Sequence, residues 1–274
     1  ESENYLEEHW ILGQGTIYPD TIESGATAKA EVIKTHHNRV AGIQRLIEEN
    51  RIVEPLTSFY KDEVRALGRE LSIPEELLER HPFPGPGLAI RCLCGTERLA
   101  VEPVECGWIL PVRSVGVQGD SRSYRHVVAL ENFPDDADEA TQLINRLANV
   151  NRAVACVASR APLGRLEVFP AQLDAQRLSR LRMADAIVRR LSEESGFERA
   201  VWQFPVVLIP VGAGEHPDSV VLRPVHSVDG MTAQSVPMPG VLLKAMSVEL
   251  LAIDGVGAVF YDLTHKPPGT IEWE

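Results

Sequence analysis

Apolar positions along the chain switch between a strand period and a helical period, and they do so twice in the same order. "PVRSVGVQG" and "YRHVVAL" read as paired strands, the acidic run "PDDADEA" leads into a helix over "TQLINRLANV", and "RAVACVA" closes as a strand. Further on, "FPVVLIPV" and "SVVLRPV" read again as paired strands, followed by a helix over "VLLKAMSVELLAI" and a strand over "GVGAVFYDL". Both stretches run β-β-α-β, which predicts two copies of a small αβ unit. Between them "DAQRLSRLRMADAIVRRLSEESG" predicts an amphipathic helix with Leu178, Leu181, Val188 and Leu191 turned inward and Gly196 as its stop.

Upstream, "HWILGQGTIYPD" reads as a buried strand from Trp10 to Leu12 entering a Gly-rich loop. "SFYKDEVRALGREL" predicts a helix with Ser58 as N-cap and Val64, Leu67 and Leu71 on one face. "IPEELLER" starts a short second helix behind Pro74. The run "HPFPGPG" that follows is a rigid connector, and a domain boundary is expected there, with residues 1–83 on one side and 84–274 on the other. The two repeats are expected over about 88–160 and 200–274. The fold class predicted is α/β (α+β).

Composition narrows the function classes. With 274 residues, 44% of them hydrophobic and 24% charged, the chain is expected to be a soluble globular protein with room for two domains. Its apolar runs are strand-sized, so no membrane partner is expected. A net charge of −12 argues against a nucleic-acid surface, although a few local cations can still hold one phosphate. The opening "ESENYLEEHW" has no secretory character, and the four cysteines, Cys92, Cys94, Cys106 and Cys156, match no common zinc spacing and look like strand interiors. A reduced, cytoplasmic protein without a protein-bound metal is expected.

Three stretches crowd polar groups beyond what folding needs. In "IKTHHN", Lys34 beside His36, His37 and Asn38 suits a phosphate or reads as a solvated loop; adjacent histidines diverge too far to share a metal. In "VGVQGDSRSYRH", a turn aims Asp120 and Arg122 outward, offering a planar fork for phosphate and an acceptor for sugar or base donors, or forms a plain hairpin turn. The closing run "YDLTHKPPGTIEWE" offers Lys266 as a cation, Thr270 as a hydroxyl donor and Glu272 as a carboxylate able to read a purine edge. Pro267 and Pro268 are expected to keep that run extended and Trp273 to dock it, with residues 270–274 removable at little cost to the fold. Neither G-x-G-x-x-G after a strand nor G-x-x-x-x-G-K-[ST], H-E-x-x-H or G-x-S-x-G occurs.

"GQGTIYPDTIESG", "IKTHHN", "RHPFPGPGLAIR", "VRSVGVQGDSRSY", "DGMTA" and "YDLTHKPPGTIEWE", in this order, resemble GMP synthase, the glutamine-hydrolysing carbon-nitrogen ligase, from about Trp10 to Glu274. The doubled αβ unit resembles the long-insert members of that family. The resemblance implies the end of an ATP-pyrophosphatase domain of adenine-nucleotide α-hydrolase type, including its lid. A C-terminal domain for dimerisation and XMP binding, made of two β-β-α-β subdomains, is implied to follow it.

It further implies the family's chemistry. ATP with Mg2+ adenylates the C2 oxygen of XMP, pyrophosphate leaves, and ammonia from a glutamine amidotransferase domain or subunit displaces AMP to give GMP. Lys34 would be the catalytic lid lysine, with His36, His37 and Asn38 in the same segment. Asp120, Arg122, Gln203, Lys266, Thr270 and Glu272 would bind XMP. Tyr18 stands where some relatives place an XMP-contacting arginine. The S-G-G-V-D-S pyrophosphate loop does not occur in this sequence, nor does the amidotransferase domain, so the chain alone is expected to be inactive and a homodimer is expected. The competing reading is a non-catalytic XMP- or GMP-binding dimerisation module working with a partner that supplies the ATP site.

Overall fold

A computed structural model describes residues 10–18, 46, 48–78, 81, 83, 85, 87–118, 121–134, 139–227 and 232–274. The chain divides into two units, Glu1–Arg80 and His81–Glu274. In the first, Leu12–Gly13 pairs in parallel with Ile52–Val53. Trp10 and Ile11 are 57% and 64% exposed rather than buried, because the pairing extends over only two residues and does not include them. A helix covers Lys61–Glu70, and its N-cap is Tyr60, not Ser58: the Tyr60 N–H donates to the Glu63 carboxylate at 2.7 Å, closing a capping box. Leu71 follows as the C-cap and is exposed. The second helix, Glu75–Leu78, begins behind Pro74 as its sequence requires.

The second unit is built on a seven-stranded sheet whose strands we label in chain order: β1 (Glu102–Val104), β2 (Gly107–Gln118), β3 (Ser121–Leu130), β4 (Val150–Ser159), β5 (Val206–Ile209), β6 (Asp218–Leu222) and β7 (Val256–Asp262). Helices α1 (Glu139–Arg146), α2 (Ala175–Ser195) and α3 (Gly240–Leu251) connect them. The sheet order is β1-β2-β3-β4-β7-β6-β5. β2 and β3 form an antiparallel hairpin and α1 carries the chain to β4, parallel to β3. β5 and β6 are likewise antiparallel, and α3 carries the chain to β7, parallel to β6. The two β-β-α-β units are therefore not separate bodies: their last strands, β4 and β7, pair antiparallel at the centre of one continuous sheet.

Strand residues alternate between the two faces, as the pleat dictates. On one face Leu208, Leu222, Val259 and Tyr261 pack against Leu181, Ala184 and Val188 of α2 and against Leu242, Met246 and Leu250 of α3. Val128, Leu130 and Ala153 pack on the same side under α1. On the other face Val127, Val154, Val207, Val221 and Phe260 meet Leu166, Val168, Val211 and Trp273. Glu167–Val168 there joins Leu99–Ala100 and Val211–Gly212 in a small three-stranded sheet. Burial on both faces explains why β5, β6 and β7 read as nearly unbroken apolar runs. Asp174 caps α2 by accepting the Arg177 N–H at 2.8 Å, and Gly196 ends it in the left-handed region at φ 75°.

Two sequence expectations change here. Only Cys156 lies in a strand: Cys92 makes an isolated bridge, Cys94 is exposed, and Cys106 sits at the β1–β2 turn. The proline run near the C-terminus is a turn and not an extended stretch. The Gly269 N–H donates to the His265 carbonyl at 3.1 Å, and the Lys266–Pro267 and Pro267–Pro268 bonds are both cis.

Met246 is fully buried between α3 and the sheet. Met246→Ala should cost about 2–5 kcal/mol of stability, read as a lower urea midpoint with an unchanged slope.

Candidate functional site

The C-terminal segment after β7 is held by a cluster of buried charges. Asp262, at the end of β7, is fully buried, as are Arg152 on β4 and Arg223 just after β6. The Asp262 Oδ2 atom accepts from Arg152 Nη1 at 2.9 Å and from Trp273 Nε1 at 2.9 Å, and it lies 2.8 Å from Arg223 Nη1. Its Oδ1 accepts the Thr264 N–H at 2.9 Å. One carboxylate thus answers two guanidinium groups and an indole.

Most of the remaining guanidinium donors meet backbone carbonyls, chiefly those of the last residues, while Arg152 Nε is buried without a hydrogen-bond partner. Arg152 Nη2 donates to the carbonyls of Val115, Thr270 and Glu272 at 3.1, 2.9 and 2.9 Å. Arg223 donates from Nε to the Ile271 carbonyl at 2.8 Å, from Nη1 to Thr264 at 3.0 Å and from Nη2 to Thr270 at 2.8 Å. The Trp273 ring is fully buried, with the Arg152 guanidinium 4.9 Å from its centroid. Trp273 is therefore part of the core, and the backbone carbonyls of Thr270, Ile271 and Glu272 are partners of its buried arginines. Removing residues 270–274 would empty an indole-sized hole and strip the arginines of their carbonyl partners, so they are not a dispensable extension.

Electrostatics agree with this geometry. Burial alone would push the Asp262 carboxyl up, but Arg223, Arg152 and the Thr264 hydrogen bonds overcome it and hold it below the ordinary carboxylate value. Burial and the neighbouring Arg223 pull the Arg152 guanidinium down to about 9, against the opposing effect of Asp262. It stays protonated at neutral pH.

A second buried cluster behaves differently. Asp218 takes Arg180 and Arg177, yet burial wins and its carboxyl is pushed above the ordinary value. A cleft of about 820 Å³ beside it is lined by Cys94, Arg177, Arg180, Glu215 and Asp254 among others. None of the residues predicted from the sequence lines it. Burial pushes the Cys92 and Cys156 thiols up to about 11, so neither offers a thiolate nucleophile at neutral pH.

The predicted site residues fall into three groups. Lys34, His36, His37, Asn38 and Asp120 lie outside the described residues. Arg122, Lys266, Thr270 and Glu272 are brought toward one another, because the C-terminal segment runs along the free edge of β2 near its hairpin end. The Val117 N–H donates to the Pro268 carbonyl at 2.7 Å, Gly116 bridges Gly269, and Arg122 is the register partner of Val117 across the hairpin. Two strand spacings, about 10 Å, separate the Arg122 backbone from that of Pro268. Lys266 is clamped just before the turn by paired backbone bonds to Ala233, at 3.1 and 2.7 Å.

The third group is Gln203, which stands apart. It is buried and bridges Val225, itself paired with Ser235 two residues from Ala233. Arg122 is exposed, whereas Thr270 and Glu272 are half-buried and already engaged. The single Thr270 hydroxyl proton has the Val115 carbonyl, at 3.0 Å, and the Glu272 carbonyl as its acceptors. The Glu272 carboxylate accepts from Arg91 Nε and Nη2 at 3.0 and 2.8 Å. Tyr18 lies in the first unit, edge-on to Tyr60.

Sequence reasoning missed Arg91, Arg152, Arg223 and Asp262. A signal was present: a lone arginine interrupts the apolar strand "VNRAVACV" and another ends "VVLR", while an aspartate closes "VFYD". Charged residues in such runs are almost never fully buried unless paired. Among the described residues no group of three or more His, Cys, Asp or Glu side chains could hold a metal ion, and no helix is long and apolar enough to cross a membrane.

An α+β unit with a doubled β-β-α-β sheet and an internally locked C-terminus is the class this structure defines. Residues 191–273 match the family described as the GMP synthase C terminal domain. Over 97% of its length the chain is 45% identical to a probable glutamine-hydrolysing GMP synthase of Leptospira interrogans, covering 47% of that protein. It is 34% identical to the GMP synthase of Nocardia farcinica over 96% of the chain and 37% of the relative. It is also 31% identical to a probable GMP synthase of Caenorhabditis elegans over 99% of the chain and 49% of the relative. The chain belongs to the GMP synthase family as a C-terminal portion, and it spans about half the length, 47%, of the curated relatives it matches first.

Replacing Asp262 by Asn should cost about 3–5 kcal/mol, because two buried cations lose their counter-charge. The folded-state pKa of Asp262 is depressed, so its contribution is present above the unfolded value of about 4 and lost as pH falls through the folded value. Urea midpoints measured from neutral to acid pH should show the gap between wild type and Asp262→Asn closing at the acid end.

Proposed function

We propose that this chain supplies the XMP-holding part of a glutamine-dependent GMP synthase. The observation that carries the reading is the alignment of nearly the whole chain with enzymes of that name, 45% identical over 97% of its length to one of them. The geometry supports it: Arg122 and the Lys266–Glu272 segment, called as nucleotide contacts from sequence, converge at the edge where the C-terminal segment meets the β2–β3 hairpin. Arg122 and Lys266 would face the nucleotide phosphate, with Asp120 beside them. Glu272 would read the N–H edge of the purine, since an ionised carboxylate only accepts. Gln203 and Thr270 would complete the shell, Thr270 chiefly by holding the turn of the segment.

In the reaction so proposed, the C2 oxygen of XMP attacks the α-phosphorus of ATP and pyrophosphate departs. Ammonia then bonds to C2, and AMP leaves with that oxygen. ATP and Mg2+ would be held mainly by the part of the enzyme that carries the Ser-Gly-Gly-Val-Asp-Ser loop, which does not occur in this sequence. What this chain does is hold and orient XMP; Lys34 would neutralise the leaving phosphates from its own segment. A glutamine amidotransferase domain or subunit would deliver the ammonia. A homodimer in the cytoplasm fits the reading, and the exposed Val241 and Val248 on α3 supply apolar area for a subunit contact.

Isothermal titration of the chain with XMP should give saturable binding, and Lys266→Ala should weaken it roughly ten- to a hundredfold, the worth of a hydrogen bond to a charged group. Unchanged affinity in that variant would leave the segment with a purely structural role. Titration with Mg-ATP should show no saturation below about millimolar. A micromolar ATP site would instead favour a chain complete for adenylation.

A further inference from the structure

We infer that Arg91 is a positioning residue for purine recognition, acting through Glu272; this rests on the reading of Glu272 given above. Arg91 belongs to the short helical turn Gly87–Arg91, directly after the proline-rich connector. Its side chain is only 3% exposed. Nε and Nη2 make a two-pronged contact with the two Glu272 oxygens at 3.0 and 2.8 Å, while the guanidinium lies 4.8 Å from the centre of the Phe83 ring. A fork-to-fork contact of this kind fixes the plane and the rotation of a carboxylate, which a single point charge does not.

The partner is held as firmly from behind. The Glu272 carbonyl accepts from Arg152 Nη2 at 2.9 Å and from the Thr270 hydroxyl, so backbone and side chain of Glu272 are both fixed. The Glu272 side chain keeps 19% of its surface exposed to solvent. An ionised carboxylate has about four acceptor positions and the Arg91 fork uses two of them. The other two remain for N–H groups of a ligand. Arg91 therefore presents Glu272 in one orientation and leaves acceptor capacity for a ligand, which is the arrangement that discriminates a purine carrying an N3–H donor from one that lacks it. Through Phe83 the same guanidinium links this orientation to the connector.

Binding of xanthosine monophosphate and inosine monophosphate to the chain tests this, because inosine monophosphate lacks the C2 oxygen and the N3–H. Wild type should prefer the xanthine nucleotide. Arg91→Met should lower its affinity for that nucleotide about tenfold and leave the inosine nucleotide little changed, and Glu272→Gln should do the same. The double variant should discriminate no worse than either single one, as expected of residues acting as a unit. Arg91→Lys, which keeps the charge but not the fork, serves where Arg91→Met fails to fold, and should also lose discrimination. A merely structural Arg91 would lower the folded fraction seen by circular dichroism and weaken both nucleotides alike. Should Glu272→Gln lose discrimination while Arg91→Met and Arg91→Lys keep it, the role assigned to Arg91 is wrong and Glu272 still reads the base. Wild type that binds neither nucleotide overturns the XMP reading itself.

Discussion

Everything about the C-terminal half of this unit depends on one buried carboxylate. Asp262 lies at the end of the last strand, and its two oxygens serve Arg152, Arg223, Trp273 and the backbone of Thr264. Burying two guanidinium groups in an apolar sheet is costly unless each is paired and its remaining donors are satisfied. The pairing comes from Asp262; the remaining donors are met largely by carbonyls of residues 264–272. The last ten residues are thus required by the charge pattern of the sheet, and the sheet in turn dictates their path.

The same arrangement explains how two duplicated halves become one body. Arg152 comes from β4 of the first repeat and Arg223 follows β6 of the second, while Asp262 ends β7 of the second. Since β4 and β7 are neighbours at the centre of the sheet, the cluster sits where the halves meet. The C-terminal segment then crosses back to the free edge of β2 in the first repeat. Gly116 marks the closest approach: a Cβ there would come within 2.7 Å of both the Asn151 amide and the Pro268 carbonyl. On the proposed reading, the nucleotide site owes its composition to this crossing, with an arginine from one repeat set beside a lysine and a glutamate that follow the other.

Chemical roles divide along the same line. Groups that stay fully buried, such as Arg152, Arg223 and Asp262, spend most of their hydrogen-bonding capacity on the protein. On the proposed reading, groups at the edge such as Arg122 and Glu272 retain some for a ligand. The Arg91 contact to Glu272 lies between these classes, since it is built like a structural ion pair yet leaves acceptors open.

The order of elements was legible in the sequence because it is written in local periods. Both β-β-α-β runs and the long helix ending at Gly196 follow from apolar spacing and a left-handed stop, neither of which needs a distant partner. The docking of Trp273 and the importance of the closing run could be read from their residue types. What was not legible is what the closing residues touch. Nothing in the order of residues says that Arg152 and Arg223, about 70 positions apart in sequence and lost in apolar strands, converge on Asp262. Nor does it say that the carboxylate of Glu272 is met by Arg91, since that pairing spans 181 positions. Local periodicity sets which residues form strands and helices. Only the folded sheet, by bringing β4 beside β7 and excluding water between them, decides which charges must find each other, and so turns an apparent tail into the centre of the structure.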